Sequence, residues 1–181
     1  MPEEVLPVYS LADCARQSIH LQTLSAERIA EALALFKISG WEDHSLQFVR
    51  SEMTAFLRGD IDGYIRSRFI MAVAEEQVIG VAAWAPSMCA FAVYELSWAT
   101  VLPAWRHRGI NTLMLEERIN QIRAYHGPTP FTVIVYTWEN SMYAQMGFTP
   151  GKVPAIRSAA DKGKQLLVAQ FTPPERADKQ A

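Results

Sequence analysis

The chain has 181 residues, half of them hydrophobic and a fifth charged, with a formal net charge of −2. Such a length and apolar content suit one packed domain, and the composition excludes fibrous, low-complexity and repeat architectures. The near-neutral balance exerts no global pull on nucleic acid or an anionic membrane, so either partner would need a local basic patch.

Residues 1–18 carry no clear period and are expected to form an N-terminal arm. Ile19 to Leu24 alternates apolar and polar side chains as a half-buried strand does. Ser25 then offers an N-cap, with Glu27 in the first turn where the helix dipole favours a negative charge. Ile29, Leu33 and Phe36 follow at helical spacing, and Gly40 suits the left-handed residue after a helix end. A second helix is predicted with Asp43 as cap, Val49, Met53 and Phe56 on its apolar face, and Gly59 closing it. Phe69 to Ala74 and Val78 to Trp84 are apolar runs around the polar triplet Glu75, Glu76 and Gln77, the pattern of a tight antiparallel hairpin.

Phe91 to Val101 reads as a further strand, and the six residues Arg106 to Asn111, RHRGIN, separate it from a helix. In that helix Leu115, Ile119 and Ile122 keep one apolar spacing while Ile110, Leu113 and Met114 occupy another side, so it is expected to be covered on more than one face. Phe131 to Trp138 is rich in β-branched and aromatic residues and predicts a buried strand. A short helix ending at Gly147 and a last strand, Gln165 to Phe171, complete the order. Residues 19–172 are thus expected to form a single α/β domain, of the α+β type. Its mixed central sheet has about six or seven strands with helices on both faces, and a polar tail covers 173–181.

RHRGIN is the chemically suggestive stretch. A strand entering a helix through a glycine-containing loop gathers unpaired backbone N–H groups where the helix dipole is positive, which makes an anion site. Gly109 would let a phosphate approach the backbone, and Arg106 and Arg108 could add charge-assisted hydrogen bonds. A string of Arg or Gln followed three residues later by Gly arises about once by chance in a chain of this length, so a plain turn is the alternative. The position between strand and helix favours the phosphate. Neither a GxxxxGK[ST] loop nor a GxGxxG fingerprint is present, which disfavours nucleoside triphosphates and dinucleotides.

ELSWATVLPAWRHRGINTLMLEERI, Glu95 to Ile119, resembles motif A of the GNAT superfamily of acyl-CoA-dependent N-acyltransferases. Val101, Pro103, Arg106 and Gly109 match its pattern. YAQMGF, Tyr143 to Phe148, is similar to the superfamily's Y-x-x-x-G-F ending. The order of elements is also that of the GNAT fold. Two positions depart from the pattern. Asn111 stands where Gly or Ala is usual, and only three residues separate Asn140 from Tyr143 where the family places about two helical turns.

The resemblance implies direct transfer of an acetyl group from acetyl-CoA to a primary amine. It assigns coenzyme A to Trp98, Ala99, Thr100 and Val101 along the strand edge, to Arg106, His107, Arg108, Gly109, Ile110, Asn111 and Thr112 at the helix start, and to Asn140. A protonated amine is no nucleophile, so a base is needed. Glu95, eleven residues before Arg106, is the implied base, with a water chain as alternative and a structural glutamate as the bland reading. Tyr143 is the implied general acid toward the coenzyme A thiolate, against plain core packing.

The expected partner is a small-molecule or peptide amine, with a homodimer allowed. GWED (Gly40 to Asp43) and GDIDGY (Gly59 to Tyr64) pair acids with aromatic rings, as a cationic acceptor would require, although solvated loops explain them as well. The alternative function is a catalytically inactive acyl-CoA sensor or interaction module. Nucleic-acid binding through Arg106, Arg108, Arg118 and Arg123 lacks an aromatic stacking platform and is not expected.

Cys14 and Cys89 belong to no CxxC or Cys/His spacing, and His20, His44 and His126 form no ligand set, so neither a disulfide framework nor a metal is expected. The opening residues hold Glu3 and Glu4 in place of a basic, then apolar, leader, and no apolar run approaches a membrane span. A soluble, cytoplasmic protein with no membrane partner is the expectation.

Overall fold

In the computed structural model, which describes residues 18–59, 67–151 and 163–173, the chain runs β1 (His20–Thr23), a 3-10 turn (Ala26–Arg28), α1 (Ile29–Ile38), α2 (Asp43–Leu57), β2 (Arg68–Ala74), β3 (Gln77–Pro86), β4 (Val93–Val101), a second 3-10 turn (Pro103–Trp105), α3 (Ile110–His126), β5 (Phe131–Thr137), α4 (Ser141–Gln145), β6 (Thr149–Pro150) and β7 (Gln165–Phe171). The expected arm, the tail beyond 173 and all of GDIDGY after Gly59 lie outside the described residues. The sheet has seven strands in the order β1-β2-β3-β4-β5-β7-β6. Its neighbours are antiparallel except β4 and β5, which run parallel.

The unbroken apolar runs of β2 and β3 follow from burial on both faces. Phe69, Met71 and Val73 meet Leu33, Phe36, Val49 and Met53 of α1 and α2. Their alternates Ile70, Ala72 and Ala74 join Ile79, Ala82, Ile110 and Met114 beneath α3. Side chains on the α3 side are small, and Gly80 shows why: a Cβ there would stand 3.0 Å from the Met114 methyl carbon and 3.3 Å from Ile110 Cγ2. Farther along α3, Leu115, Ile119 and Ile122 pack with Leu96, Val133, Val135, Tyr143 and Phe148, so the helix is covered as its sequence predicts.

The expected elements all form, with shifted ends. The first helix begins with a 3-10 turn, and Ser25 makes no side-chain bond to the helix backbone. Glu42, not Asp43, occupies the N-cap of α2. The third long strand starts at Val93 rather than Phe91, whose ring is 95% exposed. The two-residue β6 carries no signal strong enough to find in the sequence.

The β2–β3 hairpin turns on two glutamates. Glu75 and Glu76 both adopt positive φ, 50° and 63°, the pairing that normally selects Asn-Gly. The turn is clamped from α1 and the residue before it. Arg28 donates from Nη1 to the Glu76 carbonyl at 2.5 Å and to Glu31 at 2.7 Å, and Glu31 accepts the Val78 N–H at 2.7 Å. Burial would raise the Glu31 carboxyl, but the Val78 N–H and Arg28 outweigh it and hold the group below its ordinary range. Left-handed conformations cost a non-glycine residue roughly 1–2 kcal/mol. Replacing Glu75→Asn and Glu76→Gly together should therefore stabilise the fold by about 1 kcal/mol, read as a rise of a few degrees in Tm. An unchanged or lower Tm would show that the clamp already offsets the strain.

Candidate active-site cleft

Two strands that pair in parallel at one end and part at the other create the site. The β4–β5 ladder runs from Val93↔Thr132 to Leu96↔Val135 and ends there. Beyond it β4 remains paired on its other side, but the β3 register jumps from Val81↔Thr100 to Ala83↔Ser97. Trp98 and Ala99 of β4 thus oppose the single residue Ala82, a one-residue bulge in which Trp98 takes φ 50°. The bulge directs the Trp98 ring toward α1 and α2. There it lies 5.5 Å from Trp41 and 6.5 Å from Phe36 and donates its indole N–H to Glu52 Oε2 at 2.7 Å. Ala99, Thr100 and Val101 face a cleft of about 950 Å³. On the β5 side their backbone edge has no strand partner.

After β4 the chain makes the Pro103–Trp105 turn and reaches the helix through two left-handed residues, His107 (φ 61°) and Gly109 (φ 75°). Gly109 is the N-cap of the 17-residue α3 and has no side chain to cap it. The first intrahelical bond runs from the Leu113 N–H to the Gly109 carbonyl, 2.9 Å. The N–H groups of Ile110, Asn111 and Thr112 therefore precede the helical ladder, and all three residues line the cleft. Arg106 donates from Nε to the Val101 carbonyl at 3.1 Å, which ties the loop to the strand and leaves both terminal nitrogens of its exposed guanidinium for an anion. Arg108 instead stacks over Trp105 at 4.8 Å and is not on the cleft wall.

The opposite walls come from distant segments. Ser39 to Ser45, between α1 and α2, supplies Gly40, Trp41, Glu42 and His44; Glu42 and His44 are exposed and 3.2 Å apart. The other wall holds Trp138, Glu139, Ser141, Met142, Gln145 and Lys164. The Lys164 ammonium sits 4.3 Å from the Trp138 ring centre. The Ser141 hydroxyl, and then the backbone N–H groups of Ser141, Met142 and Asn140, hold the Glu139 carboxyl below its ordinary range against a smaller effect of burial.

Of the residues singled out in the sequence, the structure gathers Ala99, Thr100, Val101, Arg106, His107, Gly109, Ile110, Asn111 and Thr112 on the cleft, with Gly40, Trp41 and Glu42 from GWED opposite. Trp98, Arg108, Asn140, Glu95 and Tyr143 are not part of its lining. Glu95 is exposed on β4, and Asn140 is exposed ahead of the five-residue α4. Tyr143 is 3% exposed and turns inward against Phe148, with ring centres 5.4 Å apart, between the cleft-lining Met142 and Gln145. Arg118, grouped in sequence with exposed basic residues, is fully buried and faces no nucleic acid. Sequence reading passed over Glu52, Arg118, Trp138 and Lys164. Only Arg118 carried a usable signal, since it falls on the four-residue ridge Ile110, Met114, Arg118, Ile122 of an apolar helix face.

Asn111 fits the cleft without closing it. Its side-chain oxygen Oδ1 is buried with no hydrogen-bond partner, and rotation of the amide puts its N–H₂ donor in the same place. Together with the free N–H groups of the α3 start, it suits a ligand that brings acceptors, as a pyrophosphate does. Among the described residues no group of three or more His, Cys, Asp or Glu side chains is placed to hold a metal, and no helix is long and apolar enough to cross a membrane.

Residues 66–150 match the family described as the Acetyltransferase (GNAT) domain. No curated protein matches the sequence. Many solved structures share the fold. The ribosomal-protein-alanine N-acetyltransferase of Brucella melitensis is 17% identical with a TM-score of 0.63, over 84% of this chain and 99% of that one. The PaiA N-acetyltransferase of Thermoplasma acidophilum, solved in complex with coenzyme A, is 13% identical with a TM-score of 0.61, over 84% and 99%. A GNAT family acetyltransferase from Brucella melitensis in complex with acetyl-CoA is 17% identical with a TM-score of 0.58, over 87% and 90%. The domain match over residues 66–150, the parting of β4 from β5 and the bulged strand that leads into α3 agree, and the chain has the GNAT fold.

Proposed function

We propose that the protein transfers an acyl group, acetyl in the first instance, from coenzyme A to a primary amine. The observation that carries this reading is the junction of two hydrogen-bonding surfaces in one cleft: the β4 edge at Ala99–Val101, which has no strand partner on the β5 side, and the N–H groups that open α3. A strand edge suits an extended amide-bearing arm, and a helix start suits a pyrophosphate. Coenzyme A has both, at its pantetheine and nucleotide ends, and supplies the activated thioester.

The chain's own groups divide the remaining work. Backbone N–H groups at the bulge end of β4 are preorganised to stabilise charge on a thioester oxygen. The amine enters between the Trp41–Glu42 wall and β4, where an aromatic ring and a carboxylate favour a cation. Glu95 lies off the cleft, so a water in the cleft is the better base. Tyr143 is the general acid that returns a proton to sulfur, from its position beside Met142 at the point where β4 and β5 separate.

The second reading, acyl-CoA binding without transfer, draws support from the same positions, since neither Glu95 nor Tyr143 lines the cleft. Thiol release from acetyl-CoA across a panel of amines and peptide N-termini, with a thermal-shift titration of coenzyme A, separates the two. Turnover with any amine is the expected result. Stabilisation by coenzyme A without turnover would favour the sensor.

Two variants probe the assignments. Tyr143→Phe should lower kcat about 100-fold, the usual scale of general acid catalysis, with little change in acetyl-CoA affinity; wild-type kcat would remove Tyr143 from that role. Asn111→Ala should weaken coenzyme A binding roughly tenfold by calorimetry, the worth of one charge-assisted hydrogen bond. Tighter binding would mean that the amide crowds the phosphates.

A further inference from the structure

Arg118 is 0% exposed at the centre of the fold. It lies on the α3 ridge that faces the sheet, four residues after Met114 and four before Ile122. Nε donates to the Met114 carbonyl and Nη1 to the Ala83 carbonyl of β3, each at 3.2 Å. Ala83 stands opposite Ser97, at the edge of the β4 bulge, so the guanidinium ties α3 to the place where the sheet changes register. None of the ion pairs among the described residues, Arg28–Glu31, Arg28–Glu76 and Glu42–His44, involves it. Burial pushes its pKa down, and the one side chain that works against this is Tyr143.

The third nitrogen, Nη2, is buried with no hydrogen-bond partner. Tyr143 packs in one core cluster with Leu115, Ile119 and Ile122, the α3 residues on either side of Arg118, and its phenol is the side chain that supports the guanidinium's charge. An apolar side chain of similar length would fill this site without burying an unpaired cation. The charge therefore has work that packing does not explain.

A guanidinium has five donors and no acceptor. A phenol beside it can only accept, so the phenol's own hydrogen must point away. Tyr143 shares its core cluster with Leu96 and Val135, the last residues paired before β4 and β5 part. Those two residues border the gap that opens between the strands.

We propose that Arg118 is a positioning residue for Tyr143: Nη2 donates to the phenol oxygen and turns the O–H toward the gap between β4 and β5. The inference rests on the reading of Tyr143 as general acid. In that step the phenol O–H bond breaks, an S–H bond forms on the departing thiolate, and the phenolate left behind sits against the guanidinium. The proton lost by the acceptor amine passes to water and restores the phenol.

A double-mutant cycle of Arg118→Met and Tyr143→Phe tests this, with Arg118→Lys as the conservative variant, using steady-state kinetics with acetyl-CoA and the best amine of the panel. Arg118→Met should fold with a Tm at or above the parent's, lower kcat about tenfold or more and leave KM for acetyl-CoA within about twofold. Arg118→Lys, a donor-only cation, should recover part of the loss. In the Tyr143→Phe background either Arg118 substitution should cost nothing further, because the group it orients is gone. Wild-type kcat in Arg118→Met, or the same fold-loss with and without the phenol, overturns the positioning role while leaving the acid role standing. Wild-type kcat in Tyr143→Phe overturns both, as does absence of turnover with every amine. Should Arg118→Met fail to fold, Arg118→Lys takes its place in the cycle, and a loss that persists in the Tyr143→Phe background overturns the proposal.

Discussion

The cleft exists because β4 cannot stay beside β5 after Leu96. One extra residue, with Trp98 and Ala99 set against Ala82, rotates the strand about its pairing with β3, and the left-handed Trp98 removes the next β4 backbone groups from the β5 side. What would otherwise be a fifth and sixth rung of parallel ladder becomes an open edge. The side chain of the bulged residue anchors the distortion on the opposite face, where Trp41, Phe36 and Glu52 hold the indole. One backbone irregularity thereby links α1 and α2 to the open edge of β4.

The second support is the seat of α3. Ala72, Ala74, Gly80 and Ala82 give the helix a shallow bed, and Ile110 and Met114 fill it. The start of α3 consequently arrives beside the β4 edge, with Arg106 bonded to the Val101 carbonyl across the corner. Strand edge, loop and helix start then act as one wall. The wall carries positive charge at Arg106, while Glu42, Glu139 and Lys164 stand on the facing segments.

Much of this was legible in the residues. Periodicity located every long element, since β2, β3 and α3 are buried on the faces that their apolar positions mark. RHRGIN between a strand and a helix marked a loop that lines the cleft. What the sequence could not carry is where side chains point once backbone geometry departs from a regular strand. Trp98 and its neighbours read as one continuous run, yet the bulge sends the indole to the α1–α2 face and Ala99 and Val101 to the α3 face. Arg108 and Arg106 look equivalent in sequence, but stacking on Trp105 takes one away from the cleft. Lys164 and Glu139 meet the site only through tertiary folding. The short spacing from Asn140 to Tyr143 was visible, and its physical meaning is a helix of five residues too brief to carry the asparagine toward the ligand.

Gly80 extends the reach of the site beyond the residues that touch it. Its missing Cβ sets the height at which α3 rides over the sheet, and the helix is a stiff rod whose first turn forms the floor of the cleft. A single added methyl there would press on Met114 and Ile110 and lift that floor by a few tenths of an ångström. Hydrogen bonds from fixed backbone donors weaken steeply over such displacements. The grip on a ligand is therefore gauged from beneath the helix, by an atom that is not there.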